Sequence, residues 1–148
     1  MDKRDQLIFQ KADFAGYAIL LQNENIRHKV ASFLLKYVMI EAFYKKLLIM
    51  EREKNGIKLT KQDIKKLGVR KNDVHRVLLY FEITADDSLI ERVFGSNDNS
   101  YMECSIKKLR DRLVHNVNSN VIKSILVRFD DIEKDLDVFY MLFERKKS

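Results

Sequence analysis

One stretch, NIRHKVASFLLKYVMIEAFYKKLLIMEREK, runs from residue 25 to residue 54 and decides the fold. Its apolar residues recur at alternating steps of four and three, so they share one face of a helix and form a continuous seam. The members of the seam are Ile26, Val30, Phe33, Tyr37, Ile40, Tyr44 and Leu47. Asn55 and Gly56 follow directly, and such residues commonly end helices. The stretch therefore predicts a long helix with one buried face.

A second long seam predicts a helix over residues 119–146. Its members are Ile122, Ile125, Phe129, Ile132, Leu136, Phe139 and Phe143. The chain contains no Pro and only four Gly in 148 residues, so little in it interrupts helices. A length of this kind favours one domain with a core of ordinary size. We predict an all-α fold, an antiparallel helical bundle of four to five main helices, formed by residues 1–148 as a single domain.

Four shorter helices are predicted outside the two seams. Thr60 is a suitable N-cap, with Asp63 as the second member of a capping box. Asn72 is a candidate cap for the next helix. The predicted ranges are 3–23, 60–67, 73–82 and 99–116.

Residues 56–98 are predicted to be a basic helical insertion. From Lys45 to Arg76 there are eleven Lys and Arg against four Asp and Glu, a net charge of +7. Such a block is typical of a polyanion-binding face or of a solvated helix surface. The candidate nucleic-acid contacts are Lys61, Lys65, Lys66, Arg70, Lys71 and Arg76. A short apolar piece from Leu89 to Phe94 lies between polar turns, and it is interpreted as part of an insertion or a mobile loop.

The remaining composition bears on compartment and cofactors. Cys104 is the single cysteine, so no internal disulfide is expected. No run approaches the roughly 20 apolar residues of a membrane span, and the first residues lack a signal-peptide core. We expect a cytoplasmic protein without a membrane partner. His28, His75 and His115 lie far apart in sequence, so neither a metal site nor a cofactor is expected.

A polar stretch, KLRDRLVHNVNSN, separates two predicted helices at residues 108–120. Asp111 and His115 are i,i+4 neighbours on one helix face, whereas Arg110 lies about 140° from His115. A bend near Asn116, or a second subunit, would be needed to bring Arg110 and His115 together. His can transfer protons near neutral pH, and Arg can bind phosphate in a fork. A surface ion pair is the other interpretation of these residues.

The segment RDRLVHN, residues 110–116, resembles the R-x-x-x-x-H signature of HEPN domains, in which a polar residue usually follows the Arg. Residues 34–48 are also similar to the second helix of such domains. The resemblance implies a metal-independent endoribonuclease, a toxin or phage-defence effector that leaves a 2′,3′-cyclic phosphate on RNA. His115 would transfer protons and Arg110 would stabilise the phosphorane charge. Asp111 and Asn116 would position these groups.

The resemblance further implies a homodimer that uses the last helix or the motif helix, with RNA as the ligand. An antitoxin protein of the nucleotidyltransferase type would be a further partner. Glu41 lies on an apolar stripe, seven residues from both Leu34 and Leu48. An acid in this position requires a partner. It either forms a structural pair with a cation of another helix or faces Arg110 and sets its orientation.

Two alternatives stay open at this point. The domain could be a non-catalytic binding or dimerisation module. Residues 60–81 also resemble a helix-turn-helix, with the turn at residues 67–69. In that interpretation His75 and Arg76 would reach DNA bases and Lys71 would contact phosphate.

Overall fold

The computed structural model describes residues 2–4, 22–96 and 100–147. These residues form six packed helices and no strand, which confirms the all-α bundle. The helices are α1 Glu24–Lys54, α2 Lys61–Lys65, α3 Lys71–Tyr80, α4 Asp87–Phe94, α5 Ile106–His115 and α6 Ser119–Lys147. The helix expected over residues 3–23 falls almost entirely outside the described residues. No helix in the described ranges is long and apolar enough to cross a membrane.

Helix α1 contacts three of the other helices, α3, α5 and α6. Five members of its predicted seam, from Phe33 to Leu47, are buried, and the first two are half-buried. The side chain of Asn23 caps the helix by accepting a hydrogen bond from the N–H of Ile26 at 3.0 Å. Gly56 follows the last turn with φ +81°, a left-handed conformation that Gly adopts without strain. The predicted seam therefore marks the centre of the core.

The two long helices run in the same direction, so the prediction of an antiparallel arrangement is wrong for this pair. Ser32 donates a hydrogen bond to Glu133 at 2.8 Å, and the ring of Phe43 packs on that of Phe143 at 4.9 Å between centroids. Helix α5 runs antiparallel to α6, because Arg128 of α6 donates to carbonyls that precede α5. A turn at residues 116–118 then joins the end of α5 to the start of α6. This arrangement lays α5 along both long helices.

The apolar piece from Leu89 to Phe94 is part of the core, so its interpretation as a loop is wrong. It lies in α4, where Leu89, Ile90, Val93 and Phe94 are all buried. The ring of Phe94 contacts those of Tyr37, Tyr44 and Phe139 at centroid distances of 6.3, 5.7 and 5.3 Å. Two helical turns are too short to produce a clear period, which explains the error.

The capping box at Thr60 is confirmed. The Thr60 hydroxyl accepts from the N–H of Asp63 at 3.1 Å, and the Asp63 carboxylate accepts from the N–H of Thr60 at 3.0 Å. Hydrogen bonding of the Asp63 carboxylate, first to the backbone N–H of Thr60 and then to the Thr60 side chain, lowers the pKa of Asp63. The helix that follows the cap is short and buries none of its residues.

Two predicted helix starts are displaced. Helix α3 begins at Lys71 with Arg70 in the cap position and no side-chain cap, so Asn72 is not the cap. The motif helix begins at Ile106 and not near residue 99, because the Ser105 hydroxyl accepts from the N–H of Lys108 at 3.2 Å. Both differences are local, and neither changes the path of the chain.

An ion-pair network joins α3 to the end of α1. Glu51 is 4% exposed, and its carboxylate accepts from Arg76 Nε at 2.9 Å and from a second Arg76 nitrogen at 3.3 Å. Arg76 also binds Asp73 at 2.8 Å. A buried carboxylate is tolerated only when it is paired in this way.

Truncation of Phe94 tests whether α4 belongs to the core. Phe94→Ala should lower the free energy of unfolding by about 3–5 kcal/mol, because it leaves a cavity among three aromatic rings. Leu79→Ala is the control, since Leu79 is 79% exposed; it should change stability by about 0.5 kcal/mol or less. Urea unfolding measures both variants. Equal effects of the two substitutions would contradict the place of α4 in the core.

Candidate functional site

The motif helix α5 is held by its apolar face, which buries Ile106, Leu109 and Leu113. The polar residues of the motif therefore point away from the core or along its edge. The helix is regular up to His115, and the N–H of Asn116 still donates to the carbonyl of Arg112 at 2.9 Å. The bend that would bring Arg110 and His115 together within one chain is not present.

Arg110 lies between α5 and α1 and is 22% exposed. One of its terminal nitrogens donates to Glu41 Oε2 at 2.9 Å and lies 3.1 Å from Asp111 Oδ1, an ion-pair distance. Its guanidinium carbon lies 4.9 Å from the centroid of the Tyr37 ring, a cation–π contact. A contact with Arg110 was one of the two alternatives for Glu41, and it is present, so the guanidinium is fixed on two sides.

Glu41 has a second cation. Its Oε1 lies 3.2 Å from the Nζ of Lys45, one helical turn further along α1. Glu41 is 14% exposed, so each of its oxygens is paired in a partly dehydrated place. The cluster of Tyr37, Glu41, Lys45, Arg110 and Asp111 is called the arginine cluster below.

Tyr37 is the buried member of the arginine cluster. Its side chain is fully buried, and its hydroxyl has no hydrogen-bond partner among the described residues. Burial, and after it the negative charge of Glu41, raises the pKa of this hydroxyl well above its usual range. Tyr37 was predicted only as a seam residue, because its contact with Arg110 cannot be read from the periodicity.

His115 stands apart from the arginine cluster. It is exposed at the end of α5, and none of the described residues forms a hydrogen bond or ion pair with its imidazole. Asp111, which was expected to orient His115, binds Arg110 instead. Asn116 is also exposed, directly after the helix. One chain thus presents a fixed guanidinium and an exposed imidazole on different faces of α5.

The polar residues after His115 build the turn into α6. The side chain of Asn118 accepts from the N–H of Val121 at 3.0 Å and so caps α6. Its amide also donates to the carbonyl of Asn116 at 3.1 Å. The Asn residues of this stretch are therefore explained in part by the turn, a role that sequence reasoning did not assign to Asn118.

The six basic residues that were predicted to contact nucleic acid divide into two groups. Lys71 forms an ion pair with Glu91, and Arg76 is bound by Glu51 and Asp73. The other four, which are exposed and have no acidic partner in the described part of the chain, form the basic patch: Lys61, Lys65, Lys66 and Arg70. The charge available for a polyanion is thus concentrated around α2.

The helix-turn-helix interpretation meets two obstacles in the structure. His75 lies 3.5 Å from Asp87 of α4, and Arg76 is committed to its own acids, so the two proposed base readers are engaged. Val74, Val77 and Leu78 of α3 are buried against the bundle.

The described residues contain no group of three or more potential metal ligands.

Comparison with known proteins adds no assignment. No protein-family model, curated protein or solved structure matches the chain. The resemblance to HEPN domains therefore rests on the motif and its helical setting.

Alkaline unfolding tests the environment of Tyr37. Because its pKa is raised, the folded chain keeps the proton while the unfolded chain loses it near pH 10. Stability should be unaffected below about pH 9 and should fall above about pH 10, by up to about 1.4 kcal/mol per pH unit for this group. Tyr37→Phe should remove that part of the fall.

Tyr140→Phe is the matched control, since Tyr140 is 55% exposed. It should leave the alkaline fall in stability as in the wild type. The measurement is urea unfolding at a series of pH values from 8 to about 11, within reach of the Tyr pKa. The same slope in the wild type and in Tyr37→Phe would contradict the assigned burial of the hydroxyl.

Proposed function

We propose that this protein is a metal-independent endoribonuclease whose site combines Arg110 of one chain with His115 of a second copy. One observation carries the proposal: α5 presents a guanidinium fixed by α1 and an exposed imidazole without a partner in the described residues. The motif helix thus offers a phosphate ligand and a proton carrier, which are the two groups that RNA cleavage needs.

The reaction follows from these two groups. His115 takes the proton of an RNA 2′-hydroxyl, and the resulting oxygen attacks the adjacent phosphorus. Arg110 stabilises the negative charge of the phosphorane, and Asn116 helps to position the ligand. The bond from phosphorus to the 5′-oxygen breaks, and the leaving oxygen takes up a proton. The products are a 2′,3′-cyclic phosphate and a 5′-hydroxyl.

The need for a second copy follows from helix geometry. Arg110 and His115 lie about 140° apart on a regular helix, and α5 is regular up to His115. Val114 and Val117 flank His115 and are 54% and 40% exposed. Apolar side chains beside an exposed imidazole favour a protein interface at this end of α5. A two-fold homodimer that uses this end of α5 would place the His115 of each chain against the other chain.

The cellular role we propose is that of a toxin or phage-defence effector, with an antitoxin of the nucleotidyltransferase type as a further partner. The basic patch would hold the RNA backbone through phosphate contacts, which require no sequence reading.

A non-catalytic binding module is the second candidate. One observation favours it: Glu41 and Asp111 already neutralise Arg110.

Substitution of the two motif residues tests catalysis. His115→Ala should slow RNA cleavage by about 10²–10⁴-fold, the usual contribution of general acid–base catalysis. Arg110→Lys should also impair turnover, because an ammonium cannot reproduce the guanidinium fork. Activity should persist in EDTA. Equal cleavage by His115→Ala and the wild type would leave the binding module as the function.

Mixing two inactive variants tests the shared site. Arg110→Ala and His115→Ala, each inactive alone, should recover activity when they are refolded together. Random pairing makes half of the dimers mixed, and one of the two sites in each is intact, so about a quarter of the wild-type activity is expected. A site built within one chain would give no recovery. Co-refolding of either variant with itself is the control.

Neutralisation of the basic patch tests RNA binding. Changing Lys61, Lys65 and Lys66 to Gln should weaken RNA binding and reduce the salt slope by up to about 2 units, since each contact with single-stranded RNA contributes about 0.7. Binding is measured by fluorescence anisotropy with a labelled, uncleavable RNA across a range of salt.

The control for this measurement changes three exposed cations elsewhere. Lys46, Lys123 and Lys134 have no acidic partner in the described residues and lie outside the patch. Their change to Gln alters net charge equally. If both triple variants bind with the same affinity and salt slope, the basic patch is not the RNA surface.

A further inference from the structure

The Glu41 carboxylate bridges two cations from two helices. Its Oε2 lies 2.9 Å from a terminal nitrogen of Arg110 on α5, and its Oε1 lies 3.2 Å from Lys45 on α1. A guanidinium and an ammonium that converge on one oxyanion are also the arrangement that binds a phosphate group. The bridging carboxylate therefore marks a place where a phosphate fits.

We propose that Arg110 and Lys45 form a phosphate-binding site that Glu41 occupies in the free chain. The ligand is the phosphate group of an RNA backbone, and this identification rests on the proposed function. The RNA phosphate replaces Glu41 on Arg110 and shares Lys45 with it. Lys45 thereby joins the site as an RNA-binding residue, a role that the R-x-x-x-x-H motif does not include.

Unused hydrogen-bond donors support a ligand at this place. The Nε of Arg110 is buried and has no hydrogen-bond partner among the described residues, and the same holds for the hydroxyl of Tyr37. Both groups belong to the arginine cluster, where the guanidinium lies over the Tyr37 ring at 4.9 Å. Glu41 and Asp111 use only one terminal nitrogen of Arg110. A phosphate has more acceptor oxygens than a carboxylate and can use the remaining donors.

Charge explains why Glu41 acts as a competitor. The two carboxylates of Glu41 and Asp111 balance the charges of Lys45 and Arg110, so the cluster is neutral as it stands. A phosphate that enters must therefore displace Glu41 from Arg110. Only a small fraction of the molecules has Arg110 released from Glu41. The apparent affinity for phosphate is the intrinsic affinity multiplied by that fraction, so it is low. Removal of the Glu41 charge should relieve that reduction.

Phosphate binding without cleavage tests the site. Inorganic phosphate is titrated while the assigned Nε–Hε signal of Arg110 is followed by NMR, with sodium chloride at equal ionic strength as the reference. Glu41→Gln should bind phosphate about tenfold more tightly than the wild type. Adding Lys45→Gln should abolish this gain. Lys46→Gln removes an exposed neighbouring lysine that has no acidic partner among the described residues, and it should leave the gain unchanged.

Three results would overturn the site: equal affinities of Glu41→Gln and the wild type, equal effects of Lys45→Gln and Lys46→Gln, or the same response to chloride. Circular dichroism checks that each variant is folded. Should Glu41→Gln not fold, the comparison is made in the wild-type background. There Lys45→Gln has to weaken phosphate binding by about threefold or more, and Lys46→Gln has to leave it unchanged.

A 2′-O-methyl RNA separates this inference from the proposed function. It cannot be cleaved, and it should compete with inorganic phosphate for the Arg110 signal. Competition without any cleavage of ordinary RNA would support the site and contradict the nuclease. Phosphate binding without competition would overturn the assignment of the site to RNA.

Discussion

The burial of one face of α1 is the constraint on which the rest of the structure depends. Its seam from Phe33 to Leu47 supplies the surface against which α3, α5 and α6 pack. Two carboxylates border this seam, and each is bound by an arginine from another helix. Glu41 binds Arg110 of α5, and Glu51 binds Arg76 of α3. Apolar burial thus brings the helices together, and the ion pairs fix where along α1 they lie.

The two ion pairs differ in how many hydrogen-bond donors of the arginine they leave unused. Arg76 satisfies the buried carboxylate of Glu51 with two nitrogens, so loss of Arg76 would leave an unpaired charge in the core. Arg110 satisfies Glu41 with one nitrogen at the edge of the bundle, and its Nε has no hydrogen-bond partner among the described residues. The first pair is suited to stability alone. The second holds a guanidinium in a fixed orientation with donors to spare, which suits phosphate recognition.

Periodicity in the sequence was sufficient to predict the two long helices, because each seam extends over several turns. It was insufficient for α4, whose four buried residues span only two turns between acidic flanks. The apolar stripe that carries Glu41 predicted that this acid needs a partner, and Arg110 was one of the two alternatives for it. The ion pair between Asp111 and Arg110 was missed, because helical spacing pairs Asp111 with His115, four residues further on, and not with its direct neighbour Arg110. Lys45 could have been found as the i+4 partner of Glu41, whereas the role of Tyr37 depends on the packing of α5 over α1.

Analysis of cleavage products tests the central claim most directly, namely that the exposed His115 and the fixed Arg110 serve 2′-hydroxyl chemistry on RNA. The purified protein is incubated in EDTA with a synthetic RNA and with its 2′-O-methyl copy, and the ends are identified by mass spectrometry. Only the RNA should be cleaved, and it should carry 2′,3′-cyclic phosphate ends, because the 2′-hydroxyl is the nucleophile. An intact RNA, or cleavage of the 2′-O-methyl copy, would contradict it.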